Sequence, residues 1–105
     1  MSKQVKIVVT VPESDGVMLR QAIGSAGAGK AGNYTFCSFS SKGTGRFLPQ
    51  EGAHPVIGQI GRLEEVIEER IEITCNQAIL DEVISTIRKV HPYEEPVIDV
   101  YQLLS

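Results

Sequence analysis

The densest group of chemically capable side chains lies in His91-Pro92-Tyr93-Glu94-Glu95-Pro96-Val97-Ile98-Asp99-Val100-Tyr101. An imidazole, a phenol and several carboxylates crowd one junction there. Histidine titrates near neutrality and a neighbouring carboxylate steers its proton, so His91 with Glu94 or Glu95 can form an acid/base pair or hold a metal. The same residues also read as an extended turn pre-set by two prolines, with the tyrosine rings packed and the glutamates in water. Spacing alone does not choose between these readings.

A metal site can draw on His54, His91, Cys37 and Cys75 together with Glu94 and Glu95, types that suit zinc or copper. No C-x-x-C or H-x-x-x-H pairing gathers them, so His91 and His54 stand as candidate ligands for a divalent metal and no cofactor is expected. A hydrolytic reading has His91 as base, but nothing places Ser38, Ser40 or Cys37 beside it as nucleophile. The balance leans away from an enzyme. Cys37 and Cys75 are too few for a disulfide framework and read as small buried apolar residues.

Two phosphate-binding patterns are present in letter only. Gly24-Ser25-Ala26-Gly27-Ala28-Gly29-Lys30-Ala31 nearly spells a Walker A loop, and Gly27 to Gly32 satisfies G-x-G-x-x-G. In both motifs the glycines follow a strand and open a helix, whose free amides hold the phosphate. Here a helical pattern runs in and a strand runs out. The free groups at that junction are mostly carbonyls, which repel phosphate. A helix C-cap and tight turn is the better reading, with a weak anion nest of backbone amides as its alternative.

The elements that must position these residues follow from periodicity. Val5, Ile7, Val9 and Val11 alternate with Lys6, Val8 and Thr10, a strand with one face buried. Val17, Met18, Leu19, Ala22, Ile23 and Ala26 recur at helical spacing after Ser14 or Asp15 as N-cap. Tyr34, Phe36 and Cys37 or Phe39 open a second strand. The glycine- and proline-containing stretch 41–61 is too long for a bare loop in a small domain, which predicts an extended hairpin. Residues 65–75 form a long strand with a charged outer face, where Glu69 interrupts the alternation as a bulge would. Glu64, Glu65, Glu68, Glu69 and Glu72 are expected in water. Asn76 caps a second helix carrying Ile79, Leu80, Val83, Ile84, Ile87 and Val90, stopped by His91-Pro92. Val97 to Leu103 supply the last strand.

That order, strand, helix, strand, strand, helix, strand, predicts an α+β fold of the ferredoxin-like βαββαβ kind, with an extra hairpin between the second and third core strands. A chain of 105 residues, 42% apolar and 22% charged, is sized and composed for one globular domain spanning 1–105. The net charge of −3, with Lys and Arg dispersed, argues against a nucleic-acid partner. No apolar stretch approaches the roughly 20 residues that span a bilayer, and the start lacks a signal-peptide core. A cytoplasmic location without membrane attachment is expected.

The sequence resembles the domain inserted in many bacterial Nif-three-like proteins. The resemblance runs through Ala26-Gly27-Ala28-Gly29, Gly32-Asn33-Tyr34, Cys37-Ser38-Phe39, Gly43 to Pro49, Gly52-Ala53-His54-Pro55, Gly58, Glu68 to Glu72 and the closing His91 to Tyr101 segment. It implies a domain similar to CutA-type and PII signalling proteins, which are ferredoxin-like and assemble as trimers. Full-length Nif-three-like proteins carry a dinuclear metal centre whose ligands lie in two flanking regions with no counterpart in this sequence, so no metal ligand carries over. The resemblance therefore implies a homotrimeric module that binds a small molecule or protein partner. In such an assembly His91, Tyr93, Glu94, Glu95, Tyr34, Cys37 and His54 are expected to line clefts between subunits.

Overall fold

Four strands and two helices make up the computed structural model, which describes residues 3–104. In chain order they are β1 (Gln4–Pro12), α1 (Gly16–Ser25), β2 (Phe39–Phe47), β3 (Glu64–Asn76), α2 (Leu80–Val90) and β4 (Ile98–Gln102). Short 3-10 turns, Glu13–Asp15 and Gln77–Ile79, lead into the helices. The sheet runs β2-β3-β1-β4 with every neighbouring pair antiparallel. This is the ferredoxin-like βαββαβ arrangement expected from the sequence.

The core forms where one face of the sheet meets the stripes of both helices. Val5, Ile7, Val9 and Val11 of β1 and Ile71, Ile73 and Cys75 of β3 pack against Leu19 and Ile23 of α1 and Val83 and Ile87 of α2. Side chains alternate across a strand, so the even-numbered residues of β3 and the odd-numbered residues of β2 point away from the helices. Burial pushes the Cys75 thiol upward, in keeping with its reading as a small buried apolar residue. Cys37 is only half-buried, in the loop before β2.

Asn76 caps as expected, its side-chain oxygen accepting the Ala78 amide at 2.9 Å. Neither Ser14 nor Asp15 makes a capping bond to α1, which enters through the 3-10 turn instead. The second strand also starts later than the aromatic run suggests. Phe36 has φ of 59°, a left-handed conformation that no strand accommodates. Ala31 and Tyr34 close a small loop by exchanging backbone bonds of 2.9 Å. Residues 34–36 thus belong to the connection.

The extra hairpin expected over 41–61 between the second and third core strands is absent among the described residues: these strands, β2 and β3, themselves pair as one long ribbon. Its register runs unbroken from Phe39 opposite Glu72 to Phe47 opposite Glu64, and residues 48–63 join the arms through turns and bends. Pairing of β1 with β3 is equally continuous from Gln4–Asn76 to Pro12–Glu68. No bulge exists at Glu69. It keeps its place on the core face, and the expected solvated row of glutamates is broken because Glu68 and Glu69 are both buried.

The glycine-rich turn follows α1 and precedes β2, the reverse of a phosphate loop. Its amides are already used: Gly27 donates to Gly24, Ala28 to Ile23 and Gly29 to Thr74, at 3.0, 3.4 and 2.8 Å. Gly29 has φ of 81°, and a Cβ there would lie 2.6 Å from the carbonyl oxygen of Cys37 and 2.9 Å from its nitrogen. A backbone neighbour cannot swing aside. Gly29→Ala is expected to lower stability by about 2 kcal/mol or more through left-handed strain and this overlap, read as a lower urea midpoint with unchanged slope.

Candidate functional site

The end of α2 sets the geometry of the His91–Glu95 segment. Pro92 drives His91 out of helical conformation, to φ −63° and ψ 133°, and the chain then crosses the ends of β1 and β3. His91 is buried at 6% exposure. Its Nε2 lies 2.7 Å from the Thr10 carbonyl oxygen, and its Nδ1 lies 3.1 Å from the Tyr93 amide nitrogen. A carbonyl accepts and an amide donates, so Nε2 carries the proton and Nδ1 supplies the lone pair. Both ring nitrogens are committed.

This arrangement corrects the chemical readings of His91. No carboxylate is hydrogen-bonded to it among the described residues, so neither Glu94 nor Glu95 orients it as a base. No lone pair is left for a metal while these bonds hold. His54 is exposed, and its contribution to the segment is its backbone amide, which donates to Glu94 Oε1 at 3.0 Å. No group of three or more His, Cys, Asp or Glu side chains placed to hold a metal occurs among the described residues.

Tyr93 reaches back over the sheet. Its hydroxyl donates to Glu68 Oε2 at 2.8 Å, and its ring meets Phe47 edge-on with centroids 5.6 Å apart. Burial, the Glu68 hydrogen bond and the negative charges of Glu68, Asp15 and Glu64 push this hydroxyl well above the usual phenol range. It is a fixed donor at neutral pH.

Beside this pair lies a cavity of about 630 Å³ between the β2–β3 ribbon, the connection 48–63 and the segment 93–97. Gly43 and Gly45 form its floor on β2; the carboxylate of Glu68 lies over Gly45, in the space a side chain there would take. Leu48, Val56 and Val97 supply apolar wall, and Tyr93, Glu94 and Glu95 supply polar wall. Three of the sequence-derived site residues therefore line one cavity, while His91 braces Tyr93 from behind. Tyr34 and Cys37 are elsewhere. Tyr34 is exposed in the loop closed with Ala31, and Cys37 borders a shallow depression with Lys30 and Glu72.

Sequence reasoning missed Glu68, Phe47 and the two glycines. A signal was present: Gly43 and Gly45 are two apart on a strand, hence on one face, which marks a place where something approaches the backbone closely.

Comparison with known proteins agrees first on the class. The chain has the fold of CutA1: the divalent ion tolerance protein CutA1 of Ehrlichia chaffeensis superposes with a TM-score of 0.71, covering 100% of this chain and 85% of that one at 15% identity. Sequence similarity then points to a narrower group. A GTP cyclohydrolase 1 type 2 homologue of Halalkalibacterium halodurans is 48% identical over 98 residues, 93% of this chain. The Bacillus cereus protein related to NIF3 has a TM-score of 0.86 and 44% identity over 99% of this chain. The chain spans 26% of the length of each of these two relatives, so it is similar to a domain-sized part of NIF3-type proteins with a CutA-like fold. No protein-family model matches it.

Proposed function

We propose that this domain is a cytoplasmic homo-oligomeric binding and assembly module, a trimer by its CutA and PII likeness, with its ligand site built around the His91–Glu95 segment. One observation supports the reading: among the described residues the sheet is unpaired at both edges and leaves large apolar side chains exposed on the face away from the helices. Among the described residues strand β2 pairs only with β3 and β4 only with β1, and such edges invite pairing with another chain. On the face away from the helices Phe39 of β2 and Tyr101 of β4 are 68% and 53% exposed.

The shape supports the same reading. The radius of gyration is 14.6 Å, against about 13 Å for a compact chain of this size, because the β2–β3 ribbon projects beyond the helices. Ile67 on that ribbon is 57% exposed although it shares a strand face with the buried Ile71. A second copy laid along the ribbon would cover it. Assembly would also give Tyr34 and Cys37, distant from Tyr93 within one chain, a route to a shared cleft.

The cyclohydrolase named for the longer relatives belongs to proteins about four times this length, and its activity is not transferred to this segment. Light scattering of the purified chain at micromolar concentration is expected to give a trimer mass. Phe39→Lys, which places a charge in the proposed contact, is expected to weaken assembly about tenfold or more while leaving the fold intact. A wild-type chain that runs as a monomer overturns the assembly reading.

A further inference from the structure

The charges around the cavity are not equivalent. Three basic residues reach its lining, and each already holds a carboxylate that is not part of it: Lys42 with Glu13 at 3.1 Å, Arg46 with Glu65 at 2.6 Å, Arg70 with Glu72 at 3.3 Å. The lining's own carboxylates, Glu68, Glu94 and Glu95, form no ion pair among the described residues. Glu68 is the decisive one. Although the residue is only 7% exposed, its Oε2 accepts the neutral Tyr93 hydroxyl, while its Oε1 accepts no hydrogen bond among the described residues and stays open to solvent where Glu68 lines the cavity. A carboxylate oxygen that has no protein partner and faces an apolar-walled cavity is available to a cationic ligand group. The ring of Phe47, edge-on to that of Tyr93, also lines the cavity, and aromatic faces attract cations.

We propose that this cavity binds a small organic cation, an amine with an apolar body, whose ammonium group bonds Glu68 Oε1 and whose body lies against Leu48, Val56 and Val97. The volume fits: about 630 Å³ lies inside the range of roughly 300–1,000 Å³ usual for small-molecule sites. An anionic ligand meets the opposite situation, since Glu68, Glu94 and Glu95 face it without a paired cation, while each basic group at the rim is already partly neutralised by a carboxylate outside the lining. The proposal rests on the preceding reading only in taking the Tyr93–Glu95 segment to line a ligand site.

Calorimetric titration of the whole chain with three probes of one shape tests it: 2-phenylethylamine, 2-phenylethanol and phenylacetate. The amine is expected to bind about tenfold more tightly than the alcohol, with phenylacetate weakest. Glu68→Gln is expected to remove that preference and leave the alcohol's affinity unchanged. Should this variant fold poorly, Glu94→Gln with Glu95→Gln, both on exposed positions, is expected to weaken the amine about threefold by lowering the local field. Phenylacetate binding as tightly as the amine, an amine affinity indifferent to Glu68→Gln, or no binding of any probe at millimolar concentration overturns the proposal. So does amine binding confined to the Phe39→Lys variant, which would mean that a neighbouring copy fills the cavity. A monomer that binds the amine removes the assembly reading alone, and an oligomer that binds none removes this one alone.

Discussion

Arg20→Ala is expected to destabilise the domain by about 2–3 kcal/mol, because it leaves a buried carboxylate without its cation. Arg20 on α1 donates to Glu69 on the core face of β3, and Ser40 of β2 donates to the same oxygen at 2.7 Å. The network ties one helix to both arms of the ribbon. The Glu69 side chain is 12% exposed and that of Arg20 34%, so the estimate sits below the full value for a deeply buried pair. In a domain of this size that corresponds to a melting temperature lower by roughly 10–20 °C. Removing both charges with Arg20→Met and Glu69→Gln is expected to recover most of the loss, since the penalty comes from the orphaned carboxylate and not from the missing attraction.

The pH dependence gives a separate reading of the same pair. Burial by itself raises the Glu69 pKa, but the hydrogen bonds from Arg20 and Ser40 and the charges of Arg20 and Lys42 outweigh it and hold the carboxyl below 4.5. A folded-state pKa below the unfolded value means stability that is fully present above about 4.5 and lost as pH falls through the lower folded value. Without Arg20 two of the four contributions that lower it are lost and the folded pKa rises. The stability gap between wild type and Arg20→Ala is therefore expected to be widest at neutral pH and to shrink below 4.5. A gap that stays constant from neutral to acid pH would mean that Glu69 is not the group Arg20 serves.

Much of this architecture is written in periodicity. The stripe of α2 and the alternation of β1 concern residues that all meet the same core, so local pattern and tertiary burial agree. Strand β2 lacks that signal: Phe-Ser-Ser-Lys-Gly-Thr-Gly-Arg-Phe is exposed along most of both faces, and its pairing partner is far along the chain. Tyr34 and Phe36 mislead in the opposite sense, since their aromatic character suits a strand but the left-handed backbone at Phe36 forbids one. Glu68 and Glu69 show why a charged residue is a poor guide to exposure. Each is buried because of a partner at a distance in sequence, Tyr93 for one and Arg20 for the other, and no window around position 68 contains either. The His91–Glu95 segment was legible as unusual, and its role was not, because both bonds that define His91 go to backbone groups, which every residue type provides.

His91→Ala is expected to cost about 3 kcal/mol although no chemistry is assigned to the imidazole. The Thr10 carbonyl and the Tyr93 amide, both half-buried, each lose their partner at the lower end of the about 1–3 kcal/mol for an unsatisfied group, and the packing of the buried ring is lost with them. Glu94→Ala and Glu95→Ala, exposed on the same segment, are expected to stay within about 0.5 kcal/mol of wild type. Urea unfolding separates the two outcomes, and an acid/base or metal-binding histidine would give the opposite pattern, with stability unmoved and the carboxylate variants sharing its phenotype. The tautomer supplies an independent check. Nitrogen NMR of the ring is expected to find the proton on Nε2, because a carbonyl faces that nitrogen and an amide faces the other. If His91 is removed, Tyr93 loses the brace that aims its hydroxyl at Glu68, so the preference of the cavity for an amine is expected to fall along with stability. A His91→Ala protein that is fully stable, or a ring found protonated on Nδ1, would mean that the segment is held by something other than this bridge between β1 and Tyr93.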